Sequence, residues 1–457
     1  MAVVSVVNIS ELGDTMRTDA EYYQPRYLRS ERIVLKTKSC KLWKQIAGQF
    51  ITGPFGSEFI VERYVEESPY RYVRGRDVKN FFLLNDENVY IPEKDFSRLR
   101  KYALQIGDIL VSVVGTLGNA AVVDENTLPA IFSCKSTVFR SLSLNPFYLI
   151  AYLNSKYGRS FLKRKVRGAV QTGLNIDDLK STPIFIPSKS EEEKIAEVVK
   201  EAKKSFDLSK SLYWQAEKLL LEELGLKDFK SKYELSYVAY LLKAFGAHRV
   251  DAEYYQPAYE EVIKRILNYQ NGHAKLLSYA ESIKPNFDPT KYPDKRFSYV
   301  ELADIDASIG VIHGASEIKG EEAPSRARRI LRKDDVIVSS VEGSLEKVAL
   351  VSKEHEGFLA STGFFQFRPR RILPELLLVL SKSSVLQMQL KKECAGTILT
   401  AVPKESLKRI LVPIIPSKIQ QKIALLVQQS HEARKKAKDL LEEAKIKVEK
   451  VIEASAS

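Results

Sequence analysis

Two long stretches of the chain share one hydrophobic rhythm. From Ser188 to Leu224 no Pro or Gly intervenes, and apolar or small residues recur at Ile195, Val199, Ala202, Phe206, Tyr213, Ala216 and Leu220. From Ser417 onward the same alternating four-three spacing runs through Ile419, Ile423, Leu426, Ala433, Ala437, Leu440, Ala444 and Val451. That spacing is the seam of a coiled coil. About 37 residues at ~1.5 Å each make a rod of roughly 55 Å. A rod with one exposed apolar stripe has to bury it, and the other rod is the matching partner.

Before each rod the pattern changes to short β-branched runs between turns. ILVSVV, AAVV and STVFR in the first half, and VIVSS, KVALVS and FFQFR in the second, predict strands. A helical stretch follows each set, NPFYLIAYLNSKYGRSFLKRK and LPELLLVLSKSSVLQMQLKKE, and then a Pro-flanked strand, PIFIP or VPIIP. The recurrence is literal in places. DAEYYQP occurs at Asp19–Pro25 and again at Asp251–Pro257. YRYVRGRDV (70–78) aligns with RFSYVELADI (296–305), placing Tyr72 on Tyr299 and Asp77 on Asp304. GAVQTGLNIDDLKSTPIFIPSKSEEEKIAEVV (168–199) aligns with GTILTAVPKESLKRILVPIIPSKIQQKIALLV (396–427). An offset of this size exceeds any solenoid period, so the pattern reads as domain duplication. The expected class is α+β: two duplicated globular domains of mixed α/β structure with twisted sheets, and two long helices forming a coiled coil. The expected boundaries are 1–187, a helix at 188–225, a linker at 226–250, 251–416, and a helix at 417–457.

Composition narrows the partners. The 457 residues are 44% hydrophobic and 28% charged, with a formal net charge of +13. Such a basic balance suits a polyanion, nucleic acid first and an anionic membrane surface second. No apolar run approaches the ~20 residues of a membrane span, and MAVVSVVNIS lacks the basic start of a signal peptide. Cys40, Cys134 and Cys394 are isolated and odd in number, against a disulfide framework or zinc site. A soluble protein of the cytoplasm is expected.

Taken together, the duplicated DAEYYQP, the TGPFGSE loop (52–58) and the junctions IFIPSKSEEEKIAEVV and VPIIPSKIQQKIALLV resemble the specificity (S) subunit of type I restriction-modification systems. The chain departs from that family's usual junction, which has a double proline and a Glu-Gln pair; here stand Pro187 and Pro416, with Glu192-Glu193 and Gln420-Gln421. The resemblance implies two target-recognition domains, pseudo-twofold symmetric about two long helices paired as an antiparallel coiled coil, each reading half of a bipartite double-stranded DNA target, and no catalysis in this chain. It implies two DNA methyltransferase (modification) subunits per chain and a restriction/translocase subunit. S-adenosylmethionine, ATP and Mg belong to those partners, with no cofactor here and no membrane association.

Motifs for chemistry are absent. NPFY at Asn145–Tyr148 lacks the second proline of an adenine methyltransferase loop and reads as a helix start. TGPFGSE lacks the Gly-Lys-Ser/Thr of a phosphate loop. His248, His273, His313, His355 and His431 lie far apart and are expected on the solvated surface. Asp177-Asp178 and Asp334-Asp335 read as turn or cap residues.

Candidate DNA contacts are therefore basic and polar loop residues. The densest cluster holds Arg71, Tyr72, Arg74, Arg76 and Lys79; strand alternation offers a purely structural account of its Tyr72 and Arg74. Arg takes guanine bidentately, and Gln or Asn suits adenine. Thr52, Ser57, Arg167, Gln171, Thr172 and Asn175 complete the first half. The second offers Lys295, Arg296, Tyr299, Arg326, Arg328, Arg329, Lys391, Lys392, Thr397 and Thr400. The runs KRKVR (163–167) and RARR (326–329) read as phosphate contacts. Arg434, Lys435, Lys436 and Lys438 read as a solvated helix face. Two competing readings remain: a coiled-coil scaffold or stand-alone DNA-binding protein with an incidental basic surface, and a self-sufficient methyltransferase or nuclease.

Overall fold

The computed structural model describes residues 4–7, 17–56, 58–168, 172–227, 229, 233–396 and 400–457. The chain divides into two compact units, residues 1–205 with 435–457, and residues 206–434. Each takes part of both long helices, Lys189–Glu223 and Ser417–Ala456.

In the first unit, helix Pro25–Lys36 starts at the proline of DAEYYQP, where a missing N–H has no intrahelical partner to lose. A five-stranded sheet runs in the order Gly48–Thr52, Ser136–Ser141, Ile109–Ser112, Ala120–Val122, Phe81–Phe82. Beside it, Arg71–Val73 pairs in parallel with Ala130–Phe132. The Pro-flanked strand Pro183–Phe185 pairs antiparallel with Cys40–Leu42. Its carbonyls are met from below: buried Tyr148 and Tyr152 donate to Phe185 O and Pro183 O, both at 2.7 Å.

The second unit repeats this grammar. Helix Pro257–Leu267 again starts on the motif's proline, and Leu411–Pro413 pairs antiparallel with His273–Lys275. An antiparallel sheet orders Ala280–Ile283, Phe364–Pro369, Val336–Ser339, Val348–Leu350. A second sheet contains the parallel pair Arg296–Val300 with Leu359–Ser361. Here Gln389, in place of tyrosines, both donates to Leu411 O (2.9 Å) and accepts from Leu411 N (2.8 Å).

The stretch expected as one helix is two in both units. Pro146–Asn154 and Lys156–Arg164 meet at Ser155, which is extended (φ −69°, ψ 167°). Pro374–Lys382 and Ser384–Glu393 meet at Ser383 (φ −74°, ψ 164°). Ser155 Oγ accepts from Gly158 N, so the second helix is capped where the first stops. Asn145 caps the first helix as expected, its Oδ1 accepting from Phe147 N.

The long helices bury the expected stripe with shifts. Ile195, Val199 and Ala202, and Ala437 and Ala444, are buried in the first unit, where Lys436 Nζ meets Glu201 Oε1 at 2.7 Å. In the second, Tyr213, Ala216 and Leu220 join Ile423 in one apolar cluster; Ala433 is buried as well. Leu426, Leu440 and Val451 are only half-buried, as is Phe206; Val427, Val448 and Ile452 take the buried positions. Ser209 and Ser430 also lie in the stripe, with Ser430 Oγ donating to Ser209 O at 2.6 Å. Arg434 is not on a solvated face: its guanidinium lies 3.8 Å over the Phe206 ring and pairs with Asp306 at 3.1 Å. Because 209 meets 430 while 206 meets 434, the two segments of this unit run in opposite directions.

Each sheet is also cross-tied by a buried ion pair. Asp108 accepts from Arg140 (2.8 Å twice). Asp335, which is fully buried, accepts from Arg368 (2.9 and 3.0 Å), Gln366 (2.7 Å) and Arg332 N (3.0 Å). The turn role read for Asp334-Asp335 thus extends to a structural charge pair. Asp335→Ala strands Arg368 and the Gln366 amide beneath the sheet and should cost ~3 kcal/mol or more, read as a lower urea midpoint.

Candidate nucleic-acid interface

The glycine-containing loops gather at one end of each unit, fastened by backbone hydrogen bonds to a central turn. In the first unit that turn is Ser133–Lys135. Ser133 N donates to Val73 O (3.0 Å), and Lys135 O accepts from Val113 N (2.9 Å). Gly53 packs so closely that a Cβ would sit 2.5 Å from the Ser133 carbonyl carbon, and one on Gly75 would sit 2.9 Å from Lys135 Cβ. Val113 O then accepts from Leu174 N (2.9 Å), and Arg167 and Gly173 exchange hydrogen bonds of 2.9 and 2.8 Å. The loop residues 53–56, 74–76, 113–119, 133–135, 167–168 and 172–174 are therefore joined in one surface.

The second unit builds the same frame on Ser361–Gly363. Gly363 O accepts from Ser340 N (2.9 Å), Arg326 O from Thr362 N (2.8 Å), and Ser340 O from Val402 N (2.8 Å). Ala395 and Ala401 exchange bonds of 2.9 and 3.0 Å, and Thr400 O accepts from Glu342 N (3.0 Å). Ala395–Ala401 stands where Arg167–Gly173 stands in the first unit.

A clamp holds the foot of each end loop. Arg17 pairs with Asp19 (2.7 Å) and donates to Lys165 O and Val166 O, just beyond helix Lys156–Arg164. Arg249 pairs with Asp251 (2.7 Å) and donates to Lys392 O, Glu393 O and Cys394 O, at the end of helix Ser384–Glu393. Each aspartate also accepts from the backbone N–H of Tyr22 or Tyr254, and each arginine lies over that tyrosine's ring, at 4.6 and 4.5 Å. The bond to its arginine holds each carboxyl below the ordinary value. The motif is thus R-x-DAEYYQP. The sequence reading missed the arginine although it repeats at the same spacing.

The sequence-predicted contacts divide between frame and surface. Arg76, Lys79, Arg167, Thr172, Asn175, Lys295, Arg296 and Arg326 are exposed. Thr52, Arg328, Lys391, Lys392 and Thr400 are half-buried. Ser57, Gln171 and Thr397 lie outside the described residues. Tyr72 and Tyr299 are core residues, and Arg71 and Arg329 are buried with them. The Arg71 guanidinium donates to Leu84 O (2.6 Å) and Asn85 Oδ1 (2.5 Å), and Arg329 donates to Ile283 O (2.5 Å). Fastening carbonyls inside the fold, neither presents its fork to a groove. Arg74 lies flat on Asp77 and donates to Glu87 O (2.6 Å); Arg76 pairs with Glu87 and Arg167 with Asp178. Asp77 and Asp304 each cap a short turn, accepting from the N–H of Arg74 and Glu301 at 2.8 Å. Asn175 and Asp178 cap helix Ile176–Lys180 reciprocally.

Within KRKVR, Arg164 and Lys165 are buried. Arg164 pairs with Glu31 (2.7 Å), and Lys165 donates to Asp178 O and Ser181 Oγ. The expectation of solvated histidines fails twice. His355 is buried, with Ser352 Oγ 2.8 Å from its Nδ1, and His431 Nε2 lies 3.0 Å from Ile309 O. Burial pushes His431 down from its ordinary pKa. The exposed Lys135 was missed, sitting on a turn that no sequence pattern marks. Among the described residues no group of His, Cys, Asp and Glu could hold a metal ion, and no helix is long and apolar enough to cross a membrane.

Residues 64–218 match the family model described as "Type I restriction modification DNA specificity domain". The chain is also similar to the type I restriction-modification S subunit from M. genitalium, with 15% identity over 91% of this chain and 95% of that one, at a TM-score of 0.42. The HsdS subunit from Thermoanaerobacter tengcongensis is 13% identical over 93% and 96%, at a TM-score of 0.27. No curated protein matches the chain. Arg71 and Arg74, Asp77, the Ser133–Lys135 turn, Arg167 and Gly173 all fall inside the matched segment.

Burial pulls the Lys165 ammonium down to about 8 from its ordinary 10.5. Between those values the unfolded chain holds the extra proton, so stability rises as pH climbs from 8 toward 10.5. Relative to Lys165→Met, wild-type unfolding free energy should gain ~2–3 kcal/mol across that window in urea titrations.

Proposed function

We propose that this chain is the non-catalytic DNA specificity subunit of a type I restriction-modification system. One observation carries the proposal: a segment matching a DNA specificity domain folds into a loop platform whose backbone frame recurs in the second unit with different side chains. Tyr72 and Tyr299, and Asp77 and Asp304, keep their places, whereas Arg74 and Arg76 give way to Glu301 and Ala303. Constant framing with altered surface chemistry is what reading two different half-sites requires. Phosphate contacts set the register and base-edge contacts the sequence.

In this reading the two units are duplicated target-recognition domains, and the long helices pair as an antiparallel coiled coil that spaces them. The buried four-three stripe, the Ser209–Ser430 contact and the Glu201–Lys436 pair support that pairing. Methyl transfer and any cleavage then belong to partner chains in the cytoplasm: two DNA methyltransferase subunits with S-adenosylmethionine, and a restriction subunit using ATP and Mg. Exposed Arg76, Lys79, Arg167 and Arg326 are the arginines and lysine assigned to DNA.

Footprinting of the full chain on duplex selected from a random library tests this. Two protected half-sites separated by unread base pairs, about one helical turn or less, are expected. Salt-sensitive binding without sequence preference would instead support a scaffold with an incidental basic surface. Exchanging residues 26–187 with those of a related chain should change one half-site only, measured by mapping methylated adenines.

A further inference from the structure

Among the described residues only Phe55 and Phe245 are exposed phenylalanines. Phe245 lies on the short helix Leu241–Ala247; Phe55 stands on the loop platform of the first unit, 68% exposed. The loop that carries it is rigid on one side and open on the other. Gly53 and Pro54 are buried, Gly53 flush against the Ser133–Cys134 backbone, and Phe55 O accepts from Glu58 N at 2.8 Å. Beyond the ring, Gly56 has nothing within 4 Å of where a Cβ would be. The chain thus holds an aromatic ring away from its own core on a fixed stem, with clear space alongside. The same platform carries exposed Lys135 and Arg76.

The second unit shows the alternative. In KPNFDPT, at the corresponding place, Phe287 stacks on Tyr292 (5.6 Å, interplanar angle 3°) and meets Phe297 edge-on (5.5 Å, 69°). Asn286 is tied to the neighbouring strand by a bond from its N–H to Arg328 O (3.0 Å). There the aromatic is spent on the unit's own packing, and only the first unit leaves its ring unused.

We propose that Phe55 stacks on a nucleobase at one step of the half-site read by the first unit, so that recognition there includes local unstacking of the duplex. An apolar wedge between cations is the arrangement by which proteins open a base step while neighbouring charges hold the phosphates. This rests on the recognition reading above. It adds that the two half-sites are read by different physics, with an outward ring at one and an inward-packed ring at the corresponding place of the other.

The test uses the full chain and a duplex target selected from a random library. Phe55→Ala should weaken binding on the order of ten-fold, with an unchanged slope of log K against log salt, since no phosphate contact is lost. Phe55→Trp should bind as wild type does. 2-Aminopurine placed along the first half-site should change fluorescence at one position with wild type and Phe55→Trp but not with Phe55→Ala, while all three melt alike. Binding by Phe55→Ala within about two-fold of wild type, with no 2-aminopurine response, would overturn the inference and leave the recognition reading standing. Unchanged duplex binding with lost association to the methyltransferase partner would also overturn it, making Phe55 a protein contact. A wild-type chain that selects no sequence would remove the recognition reading and this inference together.

Discussion

A loop that crosses the end of a domain has to find partners for its backbone N–H and C=O groups, or leave them to water and remain soft. In this protein the loops find one another. A three-residue turn between two strands receives the neighbouring loops, and the end of the adjacent strand passes the connection on through Val113 O to Leu174 N in one unit and Ser340 O to Val402 N in the other. The platform is therefore held by main-chain bonds that do not depend on which side chains point outward. Gly53 and Gly75 belong to this bonding, since a Cβ at either would collide with the turn.

That arrangement explains why seven residues recur unchanged while their surroundings diverge. Each letter of DAEYYQP with a visible task serves the frame: the aspartate holds the arginine two residues earlier, the first tyrosine lies under that arginine, and the proline opens a helix. The arginine then ties down the carbonyls at the end of a helix, from which the Arg167–Gly173 or Ala395–Ala401 loop departs. A charged fork at a helix C-terminus also complements the helix dipole. Substitution anywhere in this clamp would loosen the stem of an end loop, whereas substitution on the loop itself changes only what is presented.

Periodicity made the long helices, the main strands and the Pro-flanked strand legible, because burial on one face imposes a period that survives in the letters. Capping chemistry was legible too, at Asn145 and Asp178, whereas Asn175, read as a DNA contact, is the cap that Asp178 reciprocates. What could not be read depended on contacts distant in sequence. Ser155 and Ser383 break helices whose apolar pattern runs straight through them. Arg71 and Arg329 look like surface charges until the carbonyls they fasten, 13 and 46 residues away, are seen. Val427 is fully buried where Leu426 is only partly so, and a polar Ser430–Ser209 contact lies in the same stripe, a pairing of which composition carries no sign.

The same distinction governs how much of the +13 charge can act on a partner. Arg71, Arg164 and Arg329 are buried and bonded inside their units, and Arg140, Arg368 and Arg409 close ion pairs with buried carboxylates. Cations held in this way are not presented to a polyanionic partner, although those paired with carboxylates leave the net charge unchanged. For a protein whose work is discrimination, this is favourable. Affinity that comes from phosphate neutralisation is nearly the same on every sequence, so each added phosphate contact raises specific and unspecific binding together. In the proposed reading, a platform with a rigid backbone and one bare ring would derive a larger share of its affinity from groups that distinguish one base step from another.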